Sequence, residues 1–363
     1  NMLQQLYNTV DSIVVGNSLG SEALAAVGSS SSLISLLISF SMGAAAGAGV
    51  IVSQFIGAQN KKGIHESVHT ALAIALILGV VLTVLGITLS PQILRWMGTP
   101  DEVMPQSVIY LRLYFAGLLF SVLYNMASGI LNAVGNSKRS LLYLAIASFT
   151  NIVLDLLFIP VLKMGIAGAA IATDISQVLS AVLCMLYLMR VDESYKVALR
   201  KIRIHKEVAV RIIQVGVPTA IQNTVISFAN VLVQSSVNSY GALAMAGFAA
   251  YIKIDGFNIL PVMSFSMAAT TFAGQNYGAG NMDRVRKGMN VTVAMGVIYC
   301  LCIGGILLLF SHPIIGVFSK DPTVIEYGVR AMWYFCPFYF MLAIMHGLAS
   351  VESENLCRRW LLS

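Results

Sequence analysis

The chain is built from apolar stretches of eighteen or more residues that carry few or no charges. A stretch of about 20 such residues, wound as an α-helix, crosses the hydrocarbon core of a bilayer. A helix also keeps its own backbone hydrogen bonds where no water can replace them. Soluble all-helical proteins show a polar stripe along each helix, and these segments mostly lack one. Only 10% of residues are charged, 57% are hydrophobic and the mean hydropathy is +0.80, whereas soluble domains carry about 25% charged residues. The expected fold class is therefore an all-α polytopic membrane protein in contact with the lipid bilayer.

Ten helical segments are expected, near 1–17, 22–56, 63–90, 102–133, 138–160, 165–190, 206–239, 242–275, 283–310 and 322–350. Several exceed one membrane crossing, so they must tilt, kink or protrude. Pro218, Pro261 and Pro337 are the candidate kinks. Basic residues gather in every second gap: Lys61 and Lys62; Lys138 and Arg139; Arg190 to Arg211; Arg284 to Lys287; Arg358 and Arg359. The intervening gaps hold only Arg95, Lys163 and Lys320. The positive-inside rule places the first set in the cytoplasm. The net charge of +6 is thereby a topology signal, and nucleic acid is not an expected partner.

The longest basic gap divides the chain into a first lobe (1–190), a cytoplasmic linker (191–210), a second lobe of four helices (211–350) and an atypical tail (351–363). The chain repeats itself across that gap. Leu19-Gly20-Ser21-Glu22-Ala23-Leu24 matches Tyr240-Gly241-Ala242-Leu243-Ala244-Met245, and Gln54-Phe55-Ile56-Gly57-Ala58 matches Gln275-Asn276-Tyr277-Gly278-Ala279, both at an offset of 221. Pro91 with Pro313 and Pro100 with Pro322 follow at 222. Six helices separate the landmarks, so the repeats run parallel, related by an axis along the membrane normal. The second repeat should also have six helices, and two are missing after residue 350. No signal peptide is visible, and both ends read as cut.

Acids are the exception in these segments. Asp11 lies in Val10-Asp11-Ser12-Ile13-Val14, and Asn151 and Asp155 lie in Thr150-Asn151-Ile152-Val153-Leu154-Asp155-Leu156. A carboxyl group at membrane depth costs a few kcal/mol on insertion scales and marks function. Residues four apart share one helix face, so Asn151 and Asp155 project together. Two acids with an amide one turn away form a candidate site for a small cation or a proton, which makes a transporter the leading expectation. Hard oxygens suit a hard cation. The same oxygens suit a proton, because two crowded carboxylates in low dielectric resist joint ionisation and titrate as a pair.

Three further elements give the chain a family resemblance: Asp11-Ser12-Ile13-Val14-Val15-Gly16 with the Leu19–Gly28 stretch, Gly274-Gln275-Asn276-Tyr277-Gly278-Ala279, and Gly129-Ile130-Leu131-Asn132-Ala133-Val134-Gly135-Asn136-Ser137. Together they resemble the multidrug and toxic compound extrusion (MATE) family, nearest its prokaryotic DinF-like branch. The resemblance implies two six-helix lobes around a V-shaped cavity, with organic cations or other amphiphiles leaving the cell in exchange for Na⁺ or H⁺. It implies an ion site at Asp11, Asn151, Asp155 and Thr173, the last from Gly168-Ala169-Ala170-Ile171-Ala172-Thr173. It also implies the inner membrane of a prokaryote, a monomer, no cofactor beyond the coupling ion, and no other metal. Some members use acids of the second lobe. Here the seventh segment offers Gln222 and Asn223 and the tenth only Glu326, so the first lobe is the expected site. Gln222, Asn223, Lys253 and Asp255 are candidates for contact with cargo, although Lys253 and Asp255, two apart, do not face each other.

Rival expectations are an exporter or flippase of lipid-linked or polysaccharide cargo, an inactive fragment, and a membrane enzyme. The first would favour a strongly basic interior, and few basic residues lie at membrane depth. The last lacks HExxH, GxSxG or any clustered His-Asp set. The five cysteines and five histidines show no metal-ligand spacing.

Overall fold

A computed structural model describes residues 11, 14, 15, 18, 19, 21–96, 103–238, 240–318 and 321–349. Most of the expected first helix lies outside the described residues, as do Pro100, Lys320, Cys357, Arg358, Arg359 and the tail at 351–363. Asp11, Val14, Val15, Ser18 and Leu19 are themselves helical. Among the described residues there is no strand. Among the described residues, eight helices are long and apolar enough to cross a membrane, nine if one bent pair counts as a single span.

The helices are α1 (Ser21–Gly57), α2 (Lys61–Trp96), α3 (Met104–Ala116), α4 (Leu118–Ala133), α5 (Ser137–Leu156), α6 (Ile166–Arg190), α7 (Lys206–Asn238), α8 (Ala242–Gly278), α9 (Met282–Leu309), α10 (Ser311–Gly316) and α11 (Pro322–Phe335). The repeat is visible in their bounds. α1 and α8 are each 37 residues long and start 221 apart; α2 and α9 also start 221 apart.

The chain forms two compact units, 1–223 and 224–363. In the first, α1 packs on α2, α3 and α4, and α6 packs on α3, α4 and α5. The core holds Ile51, Leu72, Leu94, Leu111, Phe115, Leu118 and Met126, all fully buried. The glycine-rich stretch of α1 lets backbones meet: a Cβ on Gly47 would lie 2.4 Å from the Ile212 carbonyl oxygen of α7. Small residues at such crossings are how membrane helices pack closely. Large apolar side chains point outward, such as Ile77, Val84, Phe149, Val153 and Ile298. That pattern suits lipid and would be an aggregation hazard in water.

The two histidines one turn apart serve the linker. Buried His69 donates from Nδ1 to the His65 carbonyl at 2.7 Å and accepts the Ala198 N–H at Nε2, 3.1 Å. Thr70 Oγ1 accepts the His205 N–H at 3.1 Å. The segment after α6 is thereby strapped to α2.

In the second unit α8 packs on α9 and α11. Its core contains Phe248, Tyr251, Val262, Cys300, Ile315, Met332, Cys336 and Tyr339. Tyr251 and Phe335 stack with ring centroids 5.2 Å apart.

Pro218 and Pro261 sit inside helices that continue past them, and Pro337 lies in a short 3₁₀ turn, Cys336–Phe338. The sharp break, 46°, falls at Gly117 between α3 and α4.

Candidate cation site in the first unit

α5 ends as Leu156 gives way to a wide π turn, Leu157–Val161. Pro160 explains the change: it has no N–H for the ladder, and its ring would collide with the carbonyl four residues back. The ladder widens instead, with Leu162 N–H donating to the Leu157 carbonyl at 2.9 Å. Wide turns of this kind gather at functional sites, and Asp155 lies just before this one.

Asn151 and Asp155 are buried on α5, at 1% and 0% exposure, and Thr173 is buried on α6. Asp11 is buried as well, and its carboxylate lies close enough to Asp155 to act on it electrostatically. The four positions singled out in the sequence thus share one buried region of the first unit. A narrow cavity opens between α5 and α6, lined by Ser148, Asn151, Thr173, Ser176, Gln177 and Ser180, with Leu144 and Ala147. Ser176 and Ser180 spend their hydroxyls on the Ala172 and Gln177 carbonyls of their own helix, at 2.8 and 2.9 Å.

The acids are different. Both oxygens of Asp155, both polar atoms of Asn151, Oδ1 of Asp11 and Oγ of Ser148 are buried, and no described residue is hydrogen-bonded to them. A buried polar atom without a partner costs of order 1–3 kcal/mol, and more for a charged one. Two neighbouring carboxylates in that condition need a positive charge or a proton. This donor set of carboxylate, amide and hydroxyl oxygens fits a small hard cation.

The other candidates lie on α7, α8 and α11. Gln222 is exposed and Asn223 half-buried on α7; Lys253 is exposed on α8. Asp255 is half-buried and accepts hydrogen bonds from Tyr251 and Tyr339. Glu326 pairs with Arg330 at an exposed turn of α11. The sequence reading passed over Asp174, beside Thr173, which reaches the break at Gly117. It carried the same signal as Asp155, an acid inside an apolar run.

These features define a polytopic helical membrane protein with acids buried between its helices. The MatE family model matches residues 1–157 and 218–351, and the chain belongs to this family, whose members are transporters rather than enzymes. It is similar to "Probable multidrug resistance protein YoeA" of Bacillus subtilis, 34% identical over 92% of this chain and 73% of the relative. It is similar to "Probable multidrug resistance protein YpnP" of the same organism, 32% identical over 98% of this chain and 80% of the relative. Among solved structures, a crystal structure of MATE in the bent conformation matches with a TM-score of 0.90 and 26% identity, over 97% of this chain and 78% of that one. A MOP superfamily transporter from Pyrococcus furiosus matches at 0.88 with 26% identity, over 98% of this chain and 81% of that one. The protein is a multi-span prokaryotic MATE transporter.

Proposed function

We propose that the protein is a cation-coupled antiporter that exports organic cations and other amphiphilic small molecules by alternating access, with Na⁺ or H⁺ as the coupling ion. The observation that carries this proposal is the set of buried oxygens on Asp11, Asn151 and Asp155 that no described donor reaches. The names of the relatives, "multidrug resistance" and "Multidrug export protein MepA" of Staphylococcus aureus, support the cargo class. The scarcity of basic residues at membrane depth points the same way. A relative in Shewanella oneidensis is named "FAD transporter", at 25% identity, so an anionic cargo is the second reading.

The mechanism follows from charge. Without a cation the two carboxylates repel each other across a medium of low dielectric. A bound Na⁺ or H⁺ removes that repulsion and favours the conformation that holds the acids together. Moving a two-state equilibrium from 1:99 to 99:1 takes about 5.5 kcal/mol of preference, and an unpaired buried carboxylate supplies several. Cargo and ion each prefer one conformation, so each releases the other. The polar side chains proposed to meet cargo are Gln222 and Asn223 on the first unit and Lys253 and Asp255 on the second. The basic gaps face the cytoplasm, the membrane is the inner one, and the chain works as a monomer without nucleic acid.

Efflux of a fluorescent organic cation from proteoliposomes, driven in turn by a Na⁺ gradient and by a pH gradient, tests the proposal. One gradient should drive efflux. Coupling free energies of about 1–3 kcal/mol correspond to about 5- to 150-fold, so Asp155→Asn and Asp11→Asn should each cut that driven rate at least about fivefold. Wild-type efflux from both variants would remove the site.

A further inference from the structure

Basic residues beside a membrane span act first as topology signals. In the linker after α6 the fold gives them a defined depth as well. From Lys196 to Arg211 the chain holds six Lys or Arg and one acid, Glu207. This stretch lies between the two segments that the family model matches, 1–157 and 218–351.

The level of the linker is set by α2. The polar start of that helix ends at His69 and Thr70, and the next 20 residues, Ala71 to Ser90, carry no charge. About 20 apolar residues fill the hydrocarbon core, so His69 and Thr70 mark its edge. These same two residues hold the linker: His69 Nε2 accepts the Ala198 N–H and Thr70 Oγ1 accepts the His205 N–H, both at 3.1 Å. On α6, the Leu188 carbonyl accepts the Val197 N–H at 2.8 Å, just before Arg190 closes that helix. The linker is thus drawn back along α2 from Lys61 to His69, about 12 Å at 1.5 Å per residue. Residues 198–205 lie where hydrocarbon gives way to headgroups.

Between these anchors the chain faces outward. Leu199 opens the 3₁₀ turn Leu199–Lys201 and is 60% exposed, and Ile204 is 51% exposed. Arg200, Lys201, Arg203 and Lys206 are exposed beside them. Among the described residues none of these four is ion-paired, whereas Lys196 lies 3.9 Å from Asp192. Arg203 donates from Nε to His205 Nε2 at 3.0 Å, which leaves its terminal nitrogens for an oxyanion. Apolar side chains interleaved with unpaired cations fit neither water nor hydrocarbon. They fit the zone between, where acyl chains begin and phosphates lie. Basic side chains there keep their stems in lipid and their charges among headgroups.

We propose that residues 199–206 form a docking surface for anionic lipid headgroups. Leu199 and Ile204 enter the acyl boundary, and Arg200, Lys201, Arg203 and Lys206 hold phosphate oxygens. The surface belongs to the first unit and depends neither on cargo nor on the coupling ion.

Nitroxide labels read the depth of the linker. Leu199→Cys and Ile204→Cys are made separately in the full chain after the native cysteines are replaced by alanine, and the apolar label stands in for the side chain it replaces. Asp192→Cys, at an exposed position earlier in the linker, is the control. The protein is placed in nanodiscs of phosphatidylcholine alone or of phosphatidylcholine mixed equally with phosphatidylglycerol. Both faces of a disc have one composition, so the outcome is independent of orientation and of transport. Collision with oxygen, which concentrates in lipid, is compared with collision with a neutral nickel chelate, which stays in water. One basic residue beside an anionic surface favours it about fivefold. The oxygen-to-chelate ratio at 199 and 204 should therefore be at least about fivefold higher in the mixed discs, while the ratio at 192 stays low in both. Salt at about 1 M screens charges beyond about 3 Å and should return the labels to their neutral-disc values. So should Arg200→Gln, Lys201→Gln, Arg203→Gln and Lys206→Gln together, four changes at exposed positions. A ratio that is the same in both discs, or that ignores salt or survives the four substitutions, would overturn the proposal. So would the same shift produced in neutral discs by inorganic phosphate, which would make the linker a site for free anions.

Discussion

The same point of the repeat is interrupted in both units, but by different means. Gly117 and Phe338 stand 221 residues apart, within one residue of the 222 that separates Pro91 from Pro313 and Pro100 from Pro322. In the first unit the span breaks by 46° with a glycine at the joint and a carboxylate from another helix seated on it. In the second, Pro337 lies in the 3₁₀ turn Cys336–Phe338, and the segment from Pro322 to Ala349 remains one apolar span of 28 residues. An acid sits close to each interruption. Asp174 meets backbone, whereas Asp255 meets the hydroxyls of Tyr251 and Tyr339. Proline builds its interruption into the chain, while at Gly117 the side chain seated on the break comes from another helix.

The largest expected effect comes from filling the joint. Gly117→Val would drive a branched side chain into the Asp174 side chain, and overpacking of that kind should destabilise by about 1–3 kcal/mol. The equivalent change in the second unit, Phe338→Ala, removes a side chain that is 58% exposed and should shift stability by less than about 1 kcal/mol. Thermal unfolding in detergent compares the two, and equal losses would end the distinction.

The next contrast separates unpartnered acids from satisfied ones. Asp155→Asn should lower ion-driven efflux at least about fivefold, whereas Asp255→Asn, with two hydroxyls still at hand, should lower it by less. If Asp255→Asn proved the more damaging, the coupling site would belong to the second unit. The smallest effect is expected from Tyr339→Phe. It removes one hydrogen bond to Asp255, worth about 1 kcal/mol, and the loss should disappear in an Asp255→Asn background.

Much of this molecule can be read along the chain. The spans follow from runs of apolar residues, and the expected segment 138–160 is observed as α5 with its π extension, Ser137–Val161. Asn151 and Asp155 were bound to share a face, because the helix period puts residues four apart together. Other features were hidden. A 46° bend falls at Gly117, with no proline among its immediate neighbours to announce it. The side chain seated against it comes from 57 positions away, at Asp174. The charge of Asp174 was in plain view; its partner was not.

By itself the sequence determined that this is a helical membrane protein, duplicated in parallel, with acids where acids are costly. Those properties are local or periodic, so solvent and helix geometry enforce them residue by residue. Only the tertiary structure decided which acid is left without a donor and which one finds a backbone amide. That choice depends on side chains from separate helices meeting where no water can stand in for either.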